Sequence, residues 1–244
     1  MVALGVGMIF VVFPLYWMFM TALTPRTELF KPPYPLLRTS YSFENIIELL
    51  SATQFLTFMT NSLIVAAGAV VLNVIAATLA GYALSRFQFR LKNLFASATL
   101  WTYMFPPILL VIPLYLIFAT IGLRNSYTGL ILAHVSISLP LNIWIMWQYF
   151  QIVPISIEEA AWTSGASRLR ALLEICLPSA LPGIISAAIF AFALSWNDFV
   201  FAFVLQTDTA MYTLPVGLAT FVEQSAIHWG LIMASSLLVS IPAF

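Results

Sequence analysis

The sequence predicts an all-α polytopic membrane protein, about six transmembrane helices in a single domain over residues 1–244, interrupted by one sizeable polar loop at about residues 154–178. Three observations predict it. Of 244 residues 62% are hydrophobic and only 7% charged, where a soluble domain carries roughly 25% charged residues. A bilayer core about 30 Å thick needs roughly 20 apolar residues in helical form, and runs of that order lie near residues 3–23, 62–85, 94–119, 128–150 and 179–205, with another from Trp229. Between the fourth and fifth runs sits EAAWTSGASRLRALLEICLP, polar and helix-prone, which has to emerge from the membrane.

The first run has no basic leader and no A-x-A site, so it reads as a retained helix rather than a cleaved signal. An external loop of about residues 24–61 follows, dense in proline at Pro25, Pro32, Pro33 and Pro35, then polar-apolar enough from Ser42 to Leu50 for a short surface helix. After the second run, the loop from Arg86 to Lys92 carries three basic residues and no acid, the strongest positive-inside signal in the chain. Counting from it puts the amino terminus and the polar loop, with Arg168 and Arg170, on the cytoplasmic side. The segment of about residues 206–228, without Lys or Arg, falls outside; Arg124, Arg26, Lys31 and Arg38 are external on the same count. The last run reaches Phe244 after 16 residues, so its helix is expected to continue beyond this sequence, and the abrupt apolar start suggests a trimmed amino-terminal tail.

Within the polar loop, Pro154 ends the preceding helix. Ser156 and Glu159 have the S-x-x-E spacing of a capping box, which predicts a helix starting at Ser156. Ala160 and Ala161 favour helix and leave room for a partner's surface, and Gly165 permits a tight corner. Beyond the corner Leu169, Leu172, Leu173, Cys176 and Leu177 recur at helical spacing, a stripe expected to lie against the membrane-embedded helices. Arg168, Arg170 and Glu174 then face water or a partner, and Pro178 terminates the helix.

Helix breakers at membrane depth free backbone groups that only protein or water can satisfy. Pro106 and Pro107, with Tyr103 one turn before, break the third run, and Pro140, followed by Asn142 and Trp144, breaks the fourth; both are expected to face the bundle interior or a wet path. Asp198 is the only acid inside a predicted span. An acid there is a functional candidate by default, yet with no Lys, Arg or His close by in its own span it suits hydrogen bonding or path lining better than proton relay. His134 reads as a packing residue and His228 as interfacial. Cys176 is the only cysteine, so neither an internal disulfide nor a Cys-cluster metal site can form, and zero net charge without a basic run gives nucleic acid no footing.

The spacing Glu159-Ala160-Ala161, three residues, Gly165, nine residues, Ile175, one residue, Leu177-Pro178 resembles the cytoplasmic loop of permease subunits of binding-protein-dependent ABC importers. The Pro-rich first loop, FENIIELL, Asn61-Ser62-Leu63, GYALSRF from Gly81, the Ser195-Trp196-Asn197-Asp198 phrase and LPVGL from Leu214 are similar to carbohydrate permeases of the maltose-transporter type. The resemblance implies an inner-membrane transport subunit with no catalytic and no metal residues, whose Glu159, Ala160, Ala161, Gly165, Ala166 and Arg168 contact an ATPase. It implies a complex with a second permease, two ATP-binding subunits and an extracytoplasmic binding protein. ATP and Mg would be bound by the ATPase, since this chain has no G-x-x-x-x-G-K-[ST] loop. Ser164 stands where the family usually has Asp. For a carbohydrate, aromatic faces and neutral hydrogen-bonding groups line the path, and Tyr103, Asn142, Trp144, Trp147, Gln148, Asn197 and Asp198 are the candidates. A sugar-phosphate importer, an ion-coupled secondary transporter using Asp198 and an intramembrane enzyme using His134 with Asp198 stay open as alternatives.

Overall fold

A computed structural model describes residues 2–32, 40–223 and 228–243. Among the described residues every regular element is helical. The chain forms two compact units, Met1–Ser62 with Asp208–Phe244, and Leu63–Thr207.

In the first unit, α1 (Val2–Ala22) packs along α13 (Trp229–Ser240). The last carbonyls of α1 have no partner within the helix, and the loop behind it supplies them. Asn45 Nδ2 donates to the carbonyls of Ala22 and Thr24, each at 3.0 Å, and the Thr24 hydroxyl donates to Met20 at 2.7 Å. Asn45 is carried by α2 (Glu44–Ala52), the short surface helix expected there. Gly230 lies so close to Asn45 that a Cβ would stand 2.3 Å from its Oδ1, which lets α13 close over the amide. The start of α3 (Phe55–Arg86) is tied in turn to the segment after Gln206: Asn61 Nδ2 donates to Ala210 and Tyr212 at 2.8 Å, and Ser62 Oγ accepts the N–H of Leu214 at 2.8 Å, the first residue of α12 (Leu214–Glu223). Thr213, inside this segment, is buried.

The second unit holds the rest of α3, then α4 (Lys92–Tyr103), a 3-10 turn Pro107–Leu110, α5 (Val111–Thr120), α6 (Tyr127–Ile152), α7 (Ile155–Thr163), α8 (Arg168–Ala171), a π turn Leu172–Cys176, α9 (Leu177–Ser179), α10 (Leu181–Trp196) and α11 (Val200–Leu205). Two described helices, α3 and α6, are long and apolar enough to cross a membrane, or up to four if each of two bent pairs is one span. The third predicted run is such a pair, bent by 93° between α4 and Pro107–Thr120. Two successive prolines withhold two N–H donors, so the helix breaks instead of kinking. Met104 at the tip is 79% exposed on this chain, and Tyr103, Phe105 and Ile108 are exposed too, so this break is not covered by the chain's own helices. A bend of 76° separates the helical segment Arg168–Ser179 of the polar loop from α10 at the start of the fifth predicted run, which is interrupted at Asn197 and Asp198. Pro140, by contrast, leaves α6 unbroken, and Ser126 caps its start by accepting the N–H of Gly129 at 3.1 Å. At Gly81 a Cβ would meet Met146 Cβ at 2.7 Å, so the glycine sets how closely α3 approaches α6.

Because the α1 carbonyls need donors, Asn45→Asp should be as damaging as Asn45→Ala despite its matching shape, each lowering stability by about 1–3 kcal/mol. Thermal unfolding in detergent reads it; an Asp variant as stable as the parent would show that the amide does not hold this helix end.

Candidate functional site

The loop of residues 154–178 folds as two short helices around a corner, as the sequence predicts, but its start differs. Helix α7 begins at Ile155 with Pro154 in the capping position and no side chain capping it, so Ser156 lies within the helix and the capping box does not form. Pro154 has no N–H to satisfy and its ψ of 132° is already that of a cap residue, so the helix starts one step earlier. At the other end Gly165 has φ +92° and its N–H meets the carbonyl of Trp162 at 3.0 Å, while that of Ala166 meets Ala161 at 3.0 Å. That left-handed closure is the reason for glycine at 165. The Ser164 hydroxyl donates to Ala160 O at 2.9 Å, a bond that a carboxylate at this position could not make. Ser167 then caps α8, accepting the N–H of Arg170 at 3.2 Å.

Glu159 and Ala160 are exposed, as are Gly165 and Arg168, and Ala161 and Ala166 are half-buried. The Arg168 guanidinium lies 5.3 Å from the Trp162 ring and 5.8 Å from that of Phe87, an arrangement that holds a cation on an aromatic shelf. Arg170 pairs with Glu174 at 2.9 Å in the open. The predicted apolar stripe is only half right: Leu172 and Cys176 are buried, but Leu169 and Leu173 are 63% and 53% exposed. The cause is the π turn. Pro178 lacks an N–H, the Leu177 N–H reaches back to Leu172 O, and the extra residue per turn shifts the buried face onto Ala171, Leu172, Cys176 and Ala180. The helix ends at Ser179, one residue past Pro178. Burial, and after it the hydrogen bond to Glu158, pushes the Cys176 thiol up to about 12.

The residue that sequence reasoning passed over is Glu158. It is 0% exposed, ion-paired with Arg86, and accepts the Tyr82 hydroxyl at 2.9 Å. Arg86, read from the sequence only as a topology signal, also donates to the carbonyls of Phe150 at 2.8 Å and Val153 at 2.9 Å. No local signal marks it, because helix neighbours about 100° apart can both be exposed, as Glu159 and Ala160 are.

Deeper in the unit, two buried polar clusters gather the remaining candidates. Asn142 donates to Asn73 Oδ1 and to Ala187 O at 3.0 Å, and Asn73 donates to Ser138 Oγ at 2.6 Å, joining α3, α6 and α10. Asp198 has no basic residue in its own span, as expected, but it is not alone. His134 Nε2 lies 3.1 Å from its Oδ2 and His134 Nδ1 2.7 Å from Ser195 Oγ, while the N–H of Ala202 donates to Oδ2 at 3.0 Å. The partner comes from α6, the pairing that the sequence left open as an alternative. Trp144 and Gln148 are half-buried, whereas Asn197, bonded to Ala193 O at 2.7 Å, and Tyr103, with its ring 6.0 Å from that of Phe190, are exposed. Asn142 is therefore helix-to-helix glue in this structure, and the seven path candidates, among them the half-buried Trp147, are not gathered into one cluster.

Residues 69–243, which take in the corner, the clamp on Glu158 and both polar clusters, match the family model for the binding-protein-dependent transport system inner membrane component. The chain belongs to that family. It is 32% identical to the inner membrane ABC transporter permease protein YcjP of Escherichia coli K12, over 98% of this chain and 86% of the other. It is 34% identical to the trehalose/maltose transport system permease protein MalG of Thermococcus litoralis, over 94% of this chain and 83% of the other. In fold it matches a chain of a bacterial ABC transporter involved in import of the acidic polysaccharide alginate, with a TM-score of 0.87 over 99% of this chain and 90% of that one at 23% identity. This inner membrane component is thus a transport protein of ABC-permease fold.

In this permease Asp198 terminates one helix and holds the start of the next. Asp198→Asn keeps an acceptor for Ala202 and should leave stability within about 1 kcal/mol, while Asp198→Ala strips both contacts and should cost about 1–3 kcal/mol. Equal melting temperatures for the Ala variant and the parent would remove Asp198 from the structural role.

Proposed function

We propose that this chain is one of two permease subunits of an ATP-driven importer that moves a carbohydrate, a sugar or oligosaccharide, across the inner membrane by alternating access. The exposed corner Glu159 to Gly165, built on an inner side locked to α3 and α6, carries the reading: it offers a rigid, small-residue surface to a second protein. That protein is an ATPase subunit in the cytoplasm, two of which bind the ATP and Mg that this chain has no loop to hold. The amino terminus lies on the same side, and an extracytoplasmic binding protein delivers substrate to the opposite face, where the segments of about residues 24–61 and 206–228 lie. The trehalose/maltose role of the Thermococcus relative supports a neutral sugar, and the absence of Lys and Arg from the predicted spans speaks against a sugar phosphate. Ion-coupled transport through Asp198 has the His134 contact in its favour, but a binding-protein-dependent family runs on ATP.

Glu159→Lys and Gly165→Pro should leave the complex in the membrane yet abolish substrate-stimulated ATP hydrolysis, the proline because a φ near −65° cannot close the corner. The substrate is found by a thermal-shift screen of the cognate binding protein against sugars and sugar phosphates. Normal stimulated hydrolysis in both variants would sink the coupling role, and a binding protein stabilised by sugar phosphates alone would sink the neutral sugar.

A further inference from the structure

Glu158 and Glu159 are neighbours in sequence and face opposite ways. One is exposed on the corner; the other is sealed beneath it. Glu158 is gripped by a single turn of α3, through Arg86 and Tyr82, and the remaining arms of the Arg86 guanidinium hold the carbonyls of Phe150 and Val153 at the end of α6. One side chain, itself 8% exposed, therefore fastens α3, α6 and α7 at a common point.

Stability alone does not account for such a pair. Apolar residues of similar volume would hold these helices at least as firmly, because burying two charges costs about what their attraction returns. What apolar packing lacks is direction. A guanidinium fork fixes distance and angle together, whereas the main-chain link from α6 to α7 is the stretch around Val153 and Pro154, where a few rotatable bonds can absorb a displacement as a hinge does.

We propose that Glu158 and Arg86 are positioning residues of the coupling step: they make α7 a lever rigid with α3 and α6, so that movement imposed at the exposed corner reaches the two long spanning helices instead of being lost at residues 153–154. The proposal rests on the reading of the corner as the ATPase contact and adds its inner half. Tyr82 completes the grip on the second carboxylate oxygen, and the packed side chains of Leu172 and Cys176 against Tyr82 and Phe150 carry the second half of the loop along.

The test uses the whole complex with its ATPase subunits and binding protein in proteoliposomes, and the sugar found by the thermal-shift screen. The quantity measured is sugar imported per ATP hydrolysed, together with the yield of intact complex. Glu158→Gln removes the charge while keeping the shape, and Arg86→Lys keeps the charge while losing the fork. Both should assemble and hydrolyse ATP, with sugar per ATP reduced about ten-fold, within the usual range of coupling between sites; the exchange Arg86→Glu with Glu158→Arg should recover part of the loss. The parental ratio in either single variant overturns the proposal, as does uptake and hydrolysis falling together in step with the yield of complex, which marks a purely structural pair. Should Glu158→Gln fail to assemble, Arg86→Lys decides. Glu159→Lys is run beside them: if it uncouples while the clamp variants do not, this inference alone falls, and if none of them uncouples, the coupling reading falls with it.

Discussion

A helix leaves its last carbonyls without partners of its own, and at the carboxy-terminal end of α6 the groups that take up those of Phe150 and Val153 belong to Arg86. Its third arm is occupied by the buried carboxylate of Glu158. Much of the second unit follows from that one residue: α3 must reach as far as position 86, α6 must stop at 152, and α7 must begin at once so that Glu158 comes round beneath the guanidinium. Cys176 and Leu172 then pack on Tyr82 and Phe150, which brings the second helix of the loop back toward the bundle.

The same rule governs the other places where the chain departs from regular helix. Asn45 serves the end of α1, Ser62 the start of α12, and Asp198 the start of α11, each a short polar side chain reaching a backbone group that regular hydrogen bonding leaves over. The pairing of Asn73, Ser138 and Asn142 uses the same residue types between helices rather than at their ends. Only 7% of this chain is charged, and neutral side chains do much of this work.

The proline breaks behave differently from one another for a reason that can be named. Pro140 is single and lies within a long helix packed against α4 and α10, so its neighbours hold the axis. Pro106 and Pro107 are adjacent and the residues before them are exposed on this chain, so nothing within it opposes the turn. The π turn at Leu172–Cys176 is the third case: Pro178 disturbs the bonding one turn earlier and rotates the apolar face, which is why Leu169 and Leu173 remain uncovered despite their helical spacing.

Composition and run length by themselves determined that this is an all-helical membrane protein, because hydrocarbon tolerates few other backbones. The spacing from Glu159 to Pro178 by itself located the loop, its corner and its left-handed glycine, since those depend on local propensity and on the φ that only glycine takes easily. Tertiary structure decided what local rules cannot reach. That Glu158 faces inward depends on Arg86, 72 residues away, and that Asp198 has a histidine depends on α6, 64 residues away. The 93° bend within a run that looks continuous depends on whether packing opposes a proline. Contacts between distant segments are paid for by the fold as a whole, and a pattern read along one segment carries no record of them.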